Sequence, residues 1–262
     1  MRNLVFLTPT LICVLAFAAC QAREPQPAKS TLPPPADEKG PASPEAVRFA
    51  TDDGWELGAT FWPAPVAGKP AAILLHMLPA DRHSYDDFGP KLALAGFNVL
   101  AVDSRGHGES LKHGGGTEEY SSFDAAAFND SVKDVAAAKT FLQGKRADVS
   151  RLVIVGASIG ANFALLHAAA DADVKGVVLL SPGLDYHGVK TEDAMKAYAG
   201  RPCYLVASDE DSPSAACIGK LKEIAPAADF RMFHNAGHGT NIFGAEPKLE
   251  GELVEWLRAR VK

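Results

Sequence analysis

The sequence predicts an α/β fold, in which a doubly wound, mostly parallel sheet carries helices on both faces. Unbroken apolar runs of strand length alternate along the chain with helical patterns, and short polar or glycine-rich links join them. Consecutive segments of this kind pair their strands in parallel through right-handed crossovers. The chain has 262 residues, 47% of them hydrophobic and 22% charged, which suits one full α/β domain or two small ones.

The predicted elements begin near residue 46. Apolar runs bounded by turn residues predict strands at 47–50, 57–62, 71–76, 97–103, 151–155, 177–180, 203–207 and 230–233. Apolar residues at helical spacing predict helices at 85–95, 123–142, 160–170 and 250–260. The first two strands flank a turn at Asp52-Asp53-Gly54. We therefore expect a single folded domain over residues 46–262.

The N-terminus is typical of an export signal over residues 1–19. A weakly positive start precedes an apolar run that is short for a membrane-spanning helix. Cys20 follows Phe17-Ala18-Ala19, which resembles the lipobox of bacterial lipoproteins, although an aliphatic residue is usual where Phe17 stands. The resemblance implies a diacylated Cys20, a lipid anchor to a membrane and, with Gln21 next, an outer-membrane lipoprotein that faces the periplasm or the exterior. Ordinary cleavage nearby, which leaves Cys20 unmodified, is the alternative.

Residues 20–45 are predicted to be a linker. They are rich in Pro, Ala, Glu and Lys, with three consecutive prolines in the middle. Such a composition cannot bury enough apolar surface to fold alone and favours an extended chain. The segment is therefore expected to separate the anchor from the domain.

Composition and motifs argue against several classes of partner. The net charge is −6 without a long basic run, so we expect no nucleic-acid partner. The eight histidines form no H-E-x-x-H pattern, and no G-x-G-x-x-G follows the first strand. We therefore expect no metal and no cofactor. We also expect no disulfide between Cys203 and Cys217, because a strand of five residues at about 3.3 Å each separates their positions.

The pentapeptide from Gly156 to Gly160 is the most informative motif. It reads G-x-S-x-G and lies directly after a predicted strand and before a predicted helix. A side chain at either glycine is expected to collide with neighbouring backbone in such a strand-to-helix turn. The helix N-terminus also supplies N–H groups for a developing oxyanion. Ser158 is therefore the candidate nucleophile.

With this motif, the chain resembles the α/β-hydrolase superfamily over about residues 46–262. Four further segments are similar to landmarks of that family: Asp52-Asp53-Gly54, His76-Met77-Leu78, Asp103 to Ser110, and Gly237-His238-Gly239. The candidates also follow the family order of serine, acid and histidine. The resemblance implies that His238, on a loop after the last strand, is the general base. His234 is the weaker candidate, and the polar residues of the third segment are expected to hold loops together.

The resemblance also implies the acid. The family commonly shows G-x-x-D after the strand that ends near residue 207, and alignment of Ser208 with that glycine places the acid at Asp211. Asp209 is the alternative, because predicted strand ends carry errors of a few residues.

The oxyanion donors follow from homologous position. They are the backbone N–H groups of Leu78 and Ile159, in the turn after the first central strand and directly after the nucleophile. Met77 stands where the family has glycine, so its side chain either narrows the acyl pocket or shifts the donor by one residue.

The function implied is that of a serine hydrolase, which cleaves a small-molecule carboxylic ester through an acyl-enzyme. Residues 181–202, the usual place of a cap in the family, hold only a short helix around 192–198, so we expect an open site and small esters. The same three residues also serve peptidases and thioesterases. A non-catalytic binding lipoprotein on the same fold and a cofactor-free haloperoxidase-like enzyme are the remaining alternatives.

Overall fold

The computed structural model describes residues 43–198 and 200–262. The predicted signal at 1–19, the lipidation candidate Cys20 and nearly all of the linker lie outside the described residues. None of the helices described is long and apolar enough to cross a bilayer.

The described strands and α-helices alternate along the chain, as the sequence predicts. The strands are β1 (Glu45–Ala50), β2 (Trp55–Trp62), β3 (Pro70–Leu75), β4 (Asn98–Val102), β5 (Lys112–His113), β6 (Gly116–Thr117), β7 (Asp148–Ala157), β8 (Val174–Leu180), β9 (Asp185–Tyr186), β10 (Val189–Lys190), β11 (Cys203–Ser208) and β12 (Asp229–Phe233). The helices are α1 (Phe88–Leu94), α2 (Ala125–Asp130), α3 (Val132–Gly144), α4 (Ile159–Ala170), α5 (Glu192–Tyr198), α6 (Ser212–Ile224), α7 (Asn241–Ala245) and α8 (Lys248–Arg260).

Ten of these strands form one mixed sheet in the order β12-β11-β8-β7-β3-β4-β2-β5-β6, with β1 paired to β2. The six strands from β12 to β4 run parallel, whereas β1, β2, β5 and β6 pair antiparallel. Strand order reverses beside β3, which lies between β4 and β7. In an open parallel sheet such a reversal leaves a crevice at the carboxyl ends of the strands, where ligands bind.

Helices cover both faces of the sheet and enclose two apolar clusters. One cluster contains Val135, Phe163 and Leu221 from α3, α4 and α6, and the other contains Leu92 and Leu253 from α1 and α8. Side chains alternate across a strand, so neighbouring residues of a central strand belong to opposite clusters. The predicted fold class, a doubly wound and mostly parallel sheet with helices on both faces, is confirmed.

Two predicted helices differ from the structure. The helix expected over 123–142 is divided into α2 and α3, which meet at Ser131. The helix expected over 85–95 begins three residues later, because a 3-10 turn that ends at Tyr85 precedes it. The side chain of Asp81 accepts a hydrogen bond from the backbone of that turn and fixes its start.

The thiols of Cys203 and Cys217 are free and buried. The prediction that they do not form a disulfide is confirmed. Cys203 begins β11, and Cys217 lies inside α6, which starts only after β11 has crossed the sheet.

Candidate active site

Ser158 occupies the sharp turn between β7 and α4. Its backbone has φ 55° and ψ −122°, a conformation that residues with a side chain rarely adopt. Such backbone strain costs about 1–3 kcal/mol and is found mainly at functional positions. The N–H of Ser158 donates to the carbonyl of Leu180 at 2.8 Å, which ties the turn to the neighbouring strand β8.

The two glycines of the motif have the steric role that the sequence predicts. A Cβ at Gly156 would clash with the carbonyl of Gly160, and a Cβ at Gly160 would lie 2.5 Å from the carbonyl oxygens of Leu75 and His76. Helix α4 therefore begins directly against the turn that follows β3. This close approach brings together the two segments expected to supply the oxyanion donors.

The turn after β3 contains one of the two predicted backbone donors. Ala80 donates its N–H to the carbonyl of Met77 at 2.8 Å, which closes a turn around Leu78. Within residues 43–198 and 200–262, the N–H groups of Leu78 and Ile159 have no hydrogen-bond partner. Neither predicted donor is therefore engaged by another group of the described chain.

A buried imidazole fixes the position of this turn. Nε2 of His76 accepts a hydrogen bond from the N–H of Ser104 at 3.0 Å, and Nδ1–H donates to the carbonyl of Met77 at 3.0 Å. Burial lowers the pKa of His76, which favours the neutral ring that these two bonds require.

The Met77 side chain lies against the loop that carries His238. Its sulfur is 3.9 Å from Oγ1 of Thr240, and a Cβ at Gly239 would lie 2.6 Å from it. The sequence suggested that this side chain narrows the acyl pocket or shifts the oxyanion donor by one residue. The structure shows neither effect directly. Instead, this side chain packs where the oxyanion turn meets the histidine loop.

His238 and Asp211 are in direct contact. Nδ1–H of His238 donates to Oδ2 of Asp211 at 2.7 Å. Although burial acts in the opposite direction, hydrogen bonds from Ser214 and His238 hold the pKa of Asp211 below its ordinary value. This bond fixes the tautomer in which Nε2 of His238 is free to accept a proton. The alternative acid, Asp209, contacts His234 instead, also at 2.7 Å.

The residues just before Asp211 bind the loop that leads to His238. Each of three consecutive side chains accepts a backbone N–H: Ser208 from Ala236 at 2.7 Å, Asp209 from Asn235 at 3.3 Å, and Glu210 from Gly237 at 2.6 Å. We call residues 208–211 with 234–238 the acid–histidine clasp. The clasp places the carboxylate and the imidazole by many bonds rather than by their own contact alone.

The loop of His238 also contacts the turn that holds Ser158. The N–H of Gly239 donates to Oγ of Ser181 at 2.9 Å, and a Cβ at Gly239 would lie 3.5 Å from Cβ of Ala157. No hydrogen bond joins Ser158 to His238 among the residues described. Such bonds are often long in enzymes without substrate. All three predicted side chains lie at the carboxyl ends of parallel strands.

The polar residues of the third landmark segment bind neighbouring loops. Asp103 accepts from the side chain and the N–H of Arg82, and Arg105 pairs with Asp53 and Asp134 at 2.9 and 2.7 Å. The ring of His107 stacks on a tyrosine. These contacts agree with the structural role expected from the sequence.

Sequence reasoning did not assign a role to Tyr186. Its ring meets that of His238 edge-on, with centroids 6.4 Å apart, and its hydroxyl lies 3.1 Å from Oγ of Ser214. The sequence does show that Tyr186 is an aromatic residue in the short insertion at the usual cap position, and this could have indicated a role near the active site. In the part of the chain that the structure describes, no group of three or more His, Cys, Asp or Glu side chains is arranged to hold a metal ion.

Comparisons with known proteins agree with this architecture. The sequence profile of a family described as serine aminopeptidase S33 matches residues 69–207. A search of curated protein sequences found no match.

Solved structures of similar fold include three hydrolases. An esterase Pf2001 from Pyrococcus furiosus aligns with TM-score 0.66 and 16% identity over 84% of this chain and 92% of its own. A protein from Thermoplasma acidophilum that is named a predicted CIB-like hydrolase aligns with TM-score 0.67 and 19% identity over 84% of this chain and 100% of its own. A dienelactone hydrolase from Anabaena variabilis aligns with TM-score 0.62 and 17% identity over 84% of this chain and 97% of its own. At these identities the likeness shows the fold alone.

Proposed function

Because the chain belongs to the α/β-hydrolase family described as serine aminopeptidase S33, we propose that it is a serine hydrolase that cleaves carboxylic esters. Ser158 is the nucleophile, His238 the general base and Asp211 the acid that orients it. The main support is the strained backbone of Ser158, held at φ 55° between β7 and α4 beside two N–H groups that have no partner among the described residues. That one protein of similar fold is named an esterase adds support for an ester substrate.

In the proposed mechanism, Nε2 of His238 takes the proton of Ser158 while the serine oxygen attacks the ester carbonyl. The N–H groups of Leu78 and Ile159 stabilise the oxyanion, and Asp211 stabilises the imidazolium. His238 then protonates the leaving alcohol. Water attacks the acyl-enzyme with His238 again as base, and the carboxylic acid leaves.

Covalent labelling and turnover test this proposal together. A fluorophosphonate probe is expected to modify the wild-type protein at Ser158, located by peptide mass spectrometry, and p-nitrophenyl acetate is expected to be hydrolysed. Ser158→Ala should lose both, whereas Ser150→Ala, at an exposed serine near the start of β7, should keep both. A wild-type protein that neither reacts nor turns over would favour a non-catalytic binding function.

Peptide cleavage is the second candidate function. It is favoured by the description of the matching family, which names an aminopeptidase. The same nucleophile and base serve amide and ester hydrolysis, so the substrates must distinguish them. Aminoacyl p-nitroanilides, compared with p-nitrophenyl esters of the same acyl group, separate the two. A higher kcat/KM for the anilides would make the protein a peptidase.

We also propose that the protein is exported and anchored through an acylated Cys20. The lipobox-like sequence before this residue supports the proposal. Incorporation of labelled palmitate by the wild type, and its loss in Cys20→Ser, would test it in a bacterial host. A wild-type protein without label would favour cleavage by an ordinary signal peptidase.

A further inference from the structure

The short insertion between β8 and β11 contains a two-stranded hairpin, β9–β10, that is fixed to the helix of Ser158. Asn162, fully buried one turn into α4, donates from Nδ2 to the carbonyls of Gly183 at 3.0 Å and Val189 at 2.7 Å. The N–H of Gly183 donates back to Oδ1 at 3.1 Å. Because both the nitrogen and the oxygen of this buried amide are hydrogen-bonded, Asn162 holds Gly183 and Val189, on the two sides of the hairpin turn, rigidly in place.

The hairpin carries Tyr186, and its ring has little freedom to move. The ring packs on the backbone of Gly183, where a Cβ would lie 2.5 Å from the ring carbons. Oγ1 of Thr191 donates to the carbonyl of Gly183 at 2.8 Å and braces the same position. The ring of Tyr186 is therefore held in one position and does not move as a lid.

The hydroxyl of this ring reaches the residues that follow β8 and begin α6. The hydroxyl of Tyr186 donates to the carbonyl of Ser181 at 3.4 Å and lies 3.1 Å from Oγ of Ser214, on the first turn of α6. Burial raises the pKa of Tyr186, so the phenol stays neutral.

The chemistry of ester cleavage indicates which part of the substrate meets this ring. His238 must deliver its proton to the oxygen of the leaving alcohol, so the alcohol group has to lie beside the imidazole. The ring of Tyr186 meets the imidazole edge-on. The acyl chain carries no atom that His238 protonates, so this requirement does not place it beside the ring.

We propose that Tyr186 is a specificity-determining residue that limits the size of the alcohol part of the substrate, so that esters of small primary alcohols are preferred. This inference rests on the proposed ester hydrolysis at Ser158. Because the hairpin is held by buried hydrogen bonds, the limit is set by the shape of a preformed site rather than by closure over the substrate.

Two series of esters test the inference. One series keeps the acetyl group and enlarges the alcohol from methyl through butyl to benzyl, and the other keeps the methyl alcohol and lengthens the acyl chain from two to eight carbons. In Tyr186→Ala, kcat/KM for the benzyl relative to the methyl ester should rise at least about tenfold, within the range for small differences in pocket fit. The acyl-chain preference should change by less than about threefold, well below that range.

Further variants make the result specific. Tyr186→Phe keeps the ring and should keep the wild-type alcohol preference, whereas Tyr186→Leu should relax it in the same direction as alanine and covers the case that alanine unfolds the hairpin. Leu184→Ala, at an exposed position of the same insertion, is the matched control and should change neither preference.

Two results would overturn the inference while leaving the proposed function intact. One is an unchanged alcohol preference in both Tyr186→Ala and Tyr186→Leu, with the fluorophosphonate still reacting at Ser158. The other is a change in acyl-chain preference instead. Failure of the proposed function is distinguishable, since the wild type would then hydrolyse no ester of either series and would not be labelled.

Discussion

Oδ2 of Asp211 lies 2.7 Å from Nδ1 of His238, and a second pair of the same kind, Asp209 with His234, lies beside it at the same distance. The two pairs differ in burial: the side chain of Asp211 is 12% exposed and that of Asp209 is 49% exposed. Charge interactions weaken in contact with water, so the inner pair is suited to catalysis. The outer pair anchors the loop.

The two pairs predict different effects of matched amide substitutions. Asp211→Asn removes the acceptor that fixes the tautomer of His238, and kcat for p-nitrophenyl acetate should fall about 10⁴-fold. Asp209→Asn removes an exposed contact and should have a much smaller effect. Steady-state kinetics of both variants show which carboxylate supports catalysis. A larger loss in Asp209→Asn would transfer the role of the acid to that residue.

The clasp predicts that Ser208 supports both stability and activity. Ser208→Ala leaves the N–H of the buried Ala236 without its acceptor, which should lower the free energy of unfolding by about 1–3 kcal/mol. We expect kcat to fall more than KM changes, because His238 loses its position rather than its contact with substrate. Urea unfolding and ester kinetics measure both. Equal stability of Ser208→Ala and the exposed control Ser150→Ala would contradict this role.

The contact between Met77 and Gly239 predicts a coupling between these positions. Gly239→Ala places a Cβ at φ 59° and 2.6 Å from the sulfur, so both the backbone conformation and the contact oppose it. When Met77→Ala is added, it should relieve the clash with the sulfur but not the unfavourable backbone conformation. In a double-mutant cycle of unfolding free energies, the coupling between the two substitutions should be at least about 0.5 kcal/mol.

Gly237 is the matched control for this cycle. It has φ 85°, but its nearest neighbour is Asn241 rather than Met77. Gly237→Ala should therefore be destabilising without any coupling to Met77→Ala. Equal couplings at the two glycines, measured by urea unfolding, would mean that the sulfur does not set the position of the loop.

His107 predicts a loss of stability in mild acid. Burial and the nearby His76 lower the pKa of His107 from 6.5 to about 4. Between these values the unfolded chain binds a proton that the folded protein does not, so stability falls as the pH drops from 6.5 towards 4. The free energy of unfolding should decrease by about 2 kcal/mol from pH 7 to pH 5 on account of this residue.

Urea unfolding at both pH values checks this expectation. His107→Asn, which cannot titrate in this range, should show a smaller pH dependence than the wild type. His83→Asn, at an exposed histidine, should behave like the wild type. An unchanged pH dependence in His107→Asn would assign the acid sensitivity to other groups.

Much of the fold follows from local sequence. Buried parallel strands read as unbroken apolar runs, so β3, β4, β7, β8 and β11 are evident. The turn at Ser158 is evident too, because strand, glycines and helix are contiguous. The chain order of the elements then places Ser158, Asp211 and His238 at one edge of the sheet.

Contacts between distant segments could not be derived in this way. The clasp depends on the register of two loops, and the sequence shows only polar residues after β11. The placement of Tyr186 depends on how Asn162 folds the insertion back over α4. The break at Ser131 was missed because helical periodicity continues through it.

The burial of the two core thiols has a practical consequence for the anchor. Burial raises the pKa of Cys203 and raises that of Cys217 to about 12, so neither forms the thiolate that alkylating reagents attack. A maleimide added to the folded, processed protein is therefore expected to report on residue 20 alone. Uptake of one equivalent would reveal an unblocked sulfur, whereas a thioether-linked lipid would leave the native protein inert to the reagent.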